Sequence, residues 1–237
     1  MKILALDSTA LTSTAAIAED GKPLAVCSVT YKLNHSATLL PMIDSLFLST
    51  GLTAGDIDIF AYSSGPGSFT GVRIGAATIK GLAFGKDKPC VPVSSLEALA
   101  YNLTGFDGII CPVMDARRGQ VYNALFENGD RVCEDRVITL AELSEELKKY
   151  SCKKIYFVGD GYGIAKEAVK HPCICDTPPA LRNQNAFSVA ICGEKCYNET
   201  IGKDPDHDFS DSAALPSYLR ASQAERERNE RLRKGEE

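Results

Sequence analysis

Ser63-Ser64-Gly65-Pro66-Gly67-Ser68-Phe69-Thr70-Gly71-Val72-Arg73-Ile74-Gly75 joins an apolar run, Ile57 to Tyr62, to a small-residue segment that reaches Gly85. The order is strand, tight glycine loop, helix. Glycines in such a loop let backbone N–H groups approach an anion at the helix N-terminus. The known phosphate fingerprints do not fit. A dinucleotide motif counted from Gly65 and Gly67 needs a small residue where Thr70 stands, and a P-loop closes on Gly-Lys-Ser/Thr where this chain has Gly71-Val72. A sharp turn into a buried helix is the simpler reading, with the phosphate cradle as the other.

The helix that follows carries only Arg73 and Lys80 as charges, on one face. Apolar or small residues fill most of the remaining circumference, so it must be covered on more than one side. Each interior glycine costs a helix about 1 kcal/mol relative to alanine, which tertiary or quaternary packing has to offset. Gly71, Gly75 and Ala76 would let a second helix approach closely. The expectation is a helix half core and half interface, with Val72, Arg73, Gly75, Ala76 and Ile79 toward a partner.

The chain has 237 residues, 44% hydrophobic and 24% charged, as in an ordinary soluble globule of one large or two modest domains. A net charge of −5 argues against a dedicated nucleic-acid surface but not against contact through a partner. No stretch approaches about 18 uninterrupted apolar residues, and the chain opens directly on Lys2-Ile3-Leu4-Ala5-Leu6; no membrane span, no signal peptide and a cytoplasmic location are expected. The nine cysteines suit reduced, buried small hydrophobes. Cys173-x-Cys175 and Cys192-x-x-x-Cys196 lack zinc-knuckle spacing.

Lys2–Leu6 reads as a strand ending at Asp7-Ser8-Thr9. Thr14–Ala18 follows, then an Asp20-Gly21 hairpin turn and a third strand, Leu24–Tyr31. Leu39, Met42, Ile43 and Leu46 form one stripe of a helix, widened by Leu40 and Leu48. That helix starts at Thr38, with Pro41 in its first turn, or earlier with a kink at Pro41. This stripe too exceeds what one core needs, and is expected to pair with another chain. The second half repeats the first: Ile109–Met114 ends at Asp115 as the first strand ends at Asp7, and Asn128-Gly129 turns at the same spacing as Asp20-Gly21. A duplicated strand–Asp–strand–turn–strand unit completed by helices points to an α/β fold of two lobes, the plan of the actin, Hsp70 and sugar-kinase (ribonuclease H-like) superfamily. The lobes are expected at 1–104 and 105–220, with a charged, fraying tail at 221–237.

Leu6-Asp7-Ser8-Thr9, the Gly65-Pro66-Gly67-Ser68-Phe69-Thr70-Gly71-Val72-Arg73 segment and Pro216-Ser217-Tyr218-Leu219-Arg220 resemble the marks of the bacterial TsaB (YeaZ) family. The resemblance runs from residue 1 to about 222. It implies a component of the system that threonylcarbamoylates adenosine 37 in tRNAs reading codons that begin with A. In that family TsaB is a non-catalytic paralogue that dimerises with TsaD, the bearer of the transfer chemistry, beside the ATPase TsaE. The partners so implied are TsaD and TsaE, a second copy when alone, and tRNA only through the complex. TsaD-like proteins hold a metal with a His-x-x-x-His pair where this chain has Ser95 and Leu99; a leucine cannot ligate, and one hydroxyl does not replace two imidazoles. Asp7, Ser8 and Thr9 match the superfamily's first phosphate loop, and the segment from Asp115 to Gly119 matches the second, with Arg117 and Arg118 where glycines are common. A vestigial nucleotide cleft is expected, with no cofactor of its own and ATP or ADP at a complex interface left open. The alternative is an enzyme of the same fold: a small-molecule kinase, an ATPase or a peptidase.

Overall fold

The computed structural model describes residues 1–31 and 34–220; the expected charged tail at 221–237 lies outside them. In the first lobe β1 (Lys2–Asp7), β2 (Thr12–Glu19) and β3 (Lys22–Thr30) run antiparallel. Through α1 (His35–Thr50) and α2 (Phe69–Ala83), β4 (Ile59–Gly65) and β5 (Cys90–Ser94) join in parallel. After α3 (Ser95–Tyr101) the plan repeats: β6 (Ile109–Asp115), β7 (Gln120–Glu127), β8 (Asp130–Thr139), α4 (Leu140–Leu147), β9 (Ile155–Val158), α5 (Tyr162–Ala168), β10 (Ile174–Cys175) and α6 (Ala186–Lys203). The two sheets have equivalent orders, β3-β2-β1-β4-β5 and β8-β7-β6-β9-β10. No helix among the described residues is long and apolar enough to cross a membrane.

The alternation of β1 explains how the first sheet is covered. Leu4 and Leu6 point to one face and Ile3 and Ala5 to the other, as period-two geometry requires. On the first face they meet Leu39, Ile43 and Leu46 of α1 and Ala76 and Ile79 of α2. On the second face Ile3, Ala5, Ile59 and Val91 meet Val189 and Ala190 of α6. The second sheet is treated likewise: Leu143 and Leu147 of α4 and Ala165 of α5 cover one face, while Leu96, Leu99 and Ala100 of α3 cover the other.

The third helix of each lobe therefore crosses over. α3 follows the first sheet and packs mainly on the second, with Ala98 still against the first; α6 follows the second and packs on the first. Gly193 marks the closeness of that packing, since a Cβ there would lie 2.7 Å from the Ala61 Cβ. This amends the expected boundaries. The chain after α6 also stays with the first lobe, where the Cys90 N–H donates to the Phe209 carbonyl at 2.7 Å. Residues 186–209 thus pack with the first lobe, and α3 lies between the sheets, Ala98 meeting the first and Leu96, Leu99 and Ala100 the second.

The early start of α1 is the one adopted. Asn34 is its N-cap, accepting from the Ser36 N–H at 3.2 Å, and Pro41 lies inside the helix.

Candidate functional site

The end of β1 is closed in by its own lobe. Asp7, Ser8 and Thr9 are all buried. The Asp7 carboxylate accepts from the Thr9 N–H and hydroxyl, each at 2.7 Å, and from the Ser63 hydroxyl at 2.5 Å. Burial pushes this carboxyl above the usual carboxylate range, and those donors oppose the shift. The Ser8 hydroxyl donates to the Gly71 carbonyl at 2.8 Å, and the Thr9 carbonyl accepts from the Ser68 N–H at 2.7 Å.

The glycines of the decisive stretch are what make this closure possible. A Cβ on Gly67 would lie 2.5 Å from the Thr9 carbonyl oxygen, and one on Gly71 only 1.9 Å from that of Ser8. The loop is a seat for the end of β1, and the Ser8 and Thr9 hydroxyls and the Thr9 and Ser68 N–H groups are engaged in that closure. Ser68 caps α2, accepting from the Gly71 N–H at 3.3 Å.

The interface assignment needs correction. Leu39, Met42, Ile43, Leu46, Val72, Gly75, Ala76 and Ile79 are buried within the chain itself, because the first sheet and the end of β1 cover both stripes. What approaches Gly75 is the Ser8 hydroxyl and Leu6, 3.1 and 3.2 Å from where its Cβ would be. Only Arg73 of the expected set is exposed. The exposed apolar groups on and next to the two helices are others: Leu48 at 86% exposure and Leu40 at 50% on α1, and Phe84 at 75% just past α2.

Across the cleft, the β6–β7 turn stays open. Asp115 is exposed and its carboxylate accepts from the Arg117 N–H at 2.7 Å. Arg117 and Arg118 hold φ of 63° and 58°, followed by Gly119 at 72°. For residues with a Cβ this left-handed region costs about 1–2 kcal/mol each. Asp160, beyond β9, reaches water at the cleft rim but is crowded by protein. That partial burial, and secondarily the charge of Asp115, pushes its carboxyl up to about 6.

Ser95 and Leu99 are both buried. Leu99 packs in the second lobe's core beside Gly159, and the Ser95 hydroxyl has no hydrogen-bond partner among the described residues. These two side chains do not fit a metal ion, and no group of three His, Cys, Asp or Glu able to hold one occurs among the described residues.

The segment Leu215–Arg220 proves to be a strap. Its Leu215 carbonyl accepts from the Tyr62 hydroxyl at 3.1 Å, and its Ser217 N–H donates to the Ser64 carbonyl at 2.7 Å. Tyr218 stacks on Phe69 with ring centres 4.7 Å apart and accepts from the Arg73 Nε at 2.7 Å. Arg220 reaches the other lobe, donating to the Ala116 carbonyl at 2.8 Å. The sequence flags this stretch only as ordered; its partners lie far away in the chain.

Two sheets of identical strand order, each covered by helices, make a duplicated two-lobed α/β fold, the plan expected from the sequence. The solved structure of YeaZ from Pseudomonas aeruginosa shares this fold, with a TM-score of 0.74 at 24% identity over 92% of this chain and 99% of that one. The ethanolamine utilization protein EutJ from Carboxydothermus hydrogenoformans is a more distant likeness, with a TM-score of 0.51 at 13% identity over 81% of this chain and 90% of that one. Residues 29–228 match the family model for TsaD, tRNA N6-adenosine threonylcarbamoyltransferase. The tRNA threonylcarbamoyladenosine biosynthesis protein TsaB of Bacillus subtilis is 37% identical over 95% of this chain and 96% of its own length. This chain belongs to the TsaB family.

Proposed function

We propose that this chain is an accessory, non-catalytic subunit for threonylcarbamoylation of adenosine 37 in tRNAs reading codons that begin with A, acting in the cytoplasm by pairing with a TsaD protein in a system that includes TsaE. The observation that carries this reading is the fate of the strip where TsaD-like proteins place paired histidines. Here it supplies Leu99 to a hydrophobic core and a buried serine hydroxyl, so the transfer chemistry has to come from the partner. The sealed Asp7-Ser8-Thr9 loop supports the absence of a nucleotide of its own.

The outer face of α1 and α2, with Leu40, Leu48, Phe84 and Arg73, is the docking surface in this reading. Isolated exposed leucines are common, but three large apolar groups at this exposure stand on α1 and just past the end of α2, and a partner helix pair would cover them. The same patch would pair two copies when TsaD is absent.

The test is reconstitution of tRNA modification with TsaD, TsaE and threonylcarbamoyl-adenylate synthase, with and without this chain. Modification that depends on the chain, while the chain alone turns over neither ATP nor peptide, is the expected result. Full modification without it, or ATP turnover by the chain alone, would overturn the reading.

A further inference from the structure

We propose that the β6–β7 turn, through Arg117 and Arg118, binds a phosphodiester backbone, so that within the complex just described, on which this inference rests, the chain itself touches the tRNA. The first support is conformational. The turn is pinned on both flanks: the Asp115 carboxylate holds the Arg117 N–H, the Gln120 N–H donates to the Arg117 carbonyl at 3.2 Å, and the Leu140 N–H donates to the Gly119 carbonyl at 3.2 Å. Its left-handed residues are therefore imposed by the hairpin, and Gly or Asn would satisfy them with less strain. Two adjacent arginines in such positions are not explained by the turn's own geometry, and strain of this kind points toward function.

The second support is the state of the guanidinium groups. Five other arginines are described, and each is engaged. Arg73 meets Tyr218, Arg131 meets Asp135 and Glu97, Arg136 meets Glu146, Arg182 meets the Thr177 carbonyl, and Arg220 meets the Ala116 carbonyl. Arg117 and Arg118 are exposed, and their guanidinium groups have no hydrogen-bond or ion-pair partner among the described residues. Arg220, bonded to the same turn, brings a third cation beside them. Planar guanidinium forks match phosphate oxygens, and an RNA backbone offers these at regular spacing.

A nucleotide inside the cleft is a poorer fit. The opposing Asp7-Ser8-Thr9 loop has its two hydroxyls and the Asp7 carboxylate engaged internally, and Asp115 and Asp160 would repel phosphates that enter between the lobes. The arginines suit a strand passing over the outside of the turn. With a net charge of −5, the chain alone holds RNA poorly, and the contact acts as one part of a larger surface.

The experiment compares the parent chain with Arg117→Gly/Arg118→Gly and with Arg117→Lys/Arg118→Lys in the reconstituted complex, measuring tRNA affinity across a salt series. The glycine pair suits the left-handed backbone, so its melting temperature should match or exceed the parent's. Its tRNA affinity should fall about tenfold, and the slope of log K against log salt should become shallower by about 1.5, with TsaD pairing unchanged. The lysine pair should keep most of the slope. Unaltered affinity and slope in the glycine pair would overturn the proposal, as would weakened pairing with TsaD. So would ATP binding by the isolated chain that the glycine pair abolishes, since the ligand would then be a nucleotide. A parent chain that adds nothing to tRNA modification brings down the underlying reading, whereas modification that needs the chain but not its two arginines brings down only this one.

Discussion

Gly71 and Gly75 both meet the end of β1, but their neighbours differ in kind. A methyl group on Gly71 would collide with the backbone carbonyl of Ser8; that residue and its neighbour Thr9 are tied down by hydrogen bonds to Gly71, Asp7 and Ser68. Gly71→Ala is therefore expected to cost about 3 kcal/mol, at the upper end of overpacking. Gly75 faces a hydroxyl and a leucine methyl at 3.1 and 3.2 Å, which can yield by a few tenths of an ångström. The gain of about 1 kcal/mol in helix propensity offsets much of that adjustment, so Gly75→Ala should lie within about 1 kcal/mol of the parent; thermal melts of the two variants check the contrast. Asp160 gives a pH signature. It protonates near 6 when folded against an ordinary 3.8, so folding takes up a proton between those values and stability rises as pH falls through that window. The cost of its charge is fully present above about pH 6. Asp160→Asn should raise the melting temperature at pH 8, and this advantage should shrink steadily toward pH 4.

At the scale of elements, α1 and α2 are amphipathic helices whose inner stripes belong to the first lobe and whose outer faces are available. Leu48→Glu and Phe84→Glu should leave the melting temperature within about 0.5 kcal/mol of the parent, as exposed substitutions usually do, while weakening association with TsaD in sedimentation or calorimetry. The helices themselves were legible in the sequence, because a 3.6-residue period in Leu39, Met42, Ile43 and Leu46 reports an apolar face. The period does not report what covers that face. The chain's own sheet and a partner helix leave the same trace, and here the sheet is the cover. Leu40 and Leu48, which only widen the stripe in sequence, carry the exposed apolar surface. The duplication was legible for a different reason: Asp7 and Asp115 end equivalent strands, and Gly21 and Gly129 supply equivalent hairpin turns. The crossing of α3 and α6 was not, since Val189 and Ala190 look the same whichever sheet they meet.

On the scale of the whole molecule, the strap and the crossed helices tie the lobes together. Arg220 is the strap's hydrogen bond to the second lobe, and Tyr218 anchors it on Phe69 and Arg73. Arg220→Ala should therefore speed amide exchange in the 116–120 turn more than in the core strands, with little change in melting temperature. Equal protection in parent and variant would mean that α3 and α6 alone fix the angle between lobes. The covering of the first sheet by α6 also has a consequence for how the chain is made. Ile3, Ala5, Ile59 and Val91 have left the ribosome well before residues 186–203 are translated. At roughly 5–20 residues per second the growing polypeptide carries an uncovered apolar sheet face for on the order of ten seconds. During that interval the first lobe depends on whatever shields nascent chains, until its last helix arrives.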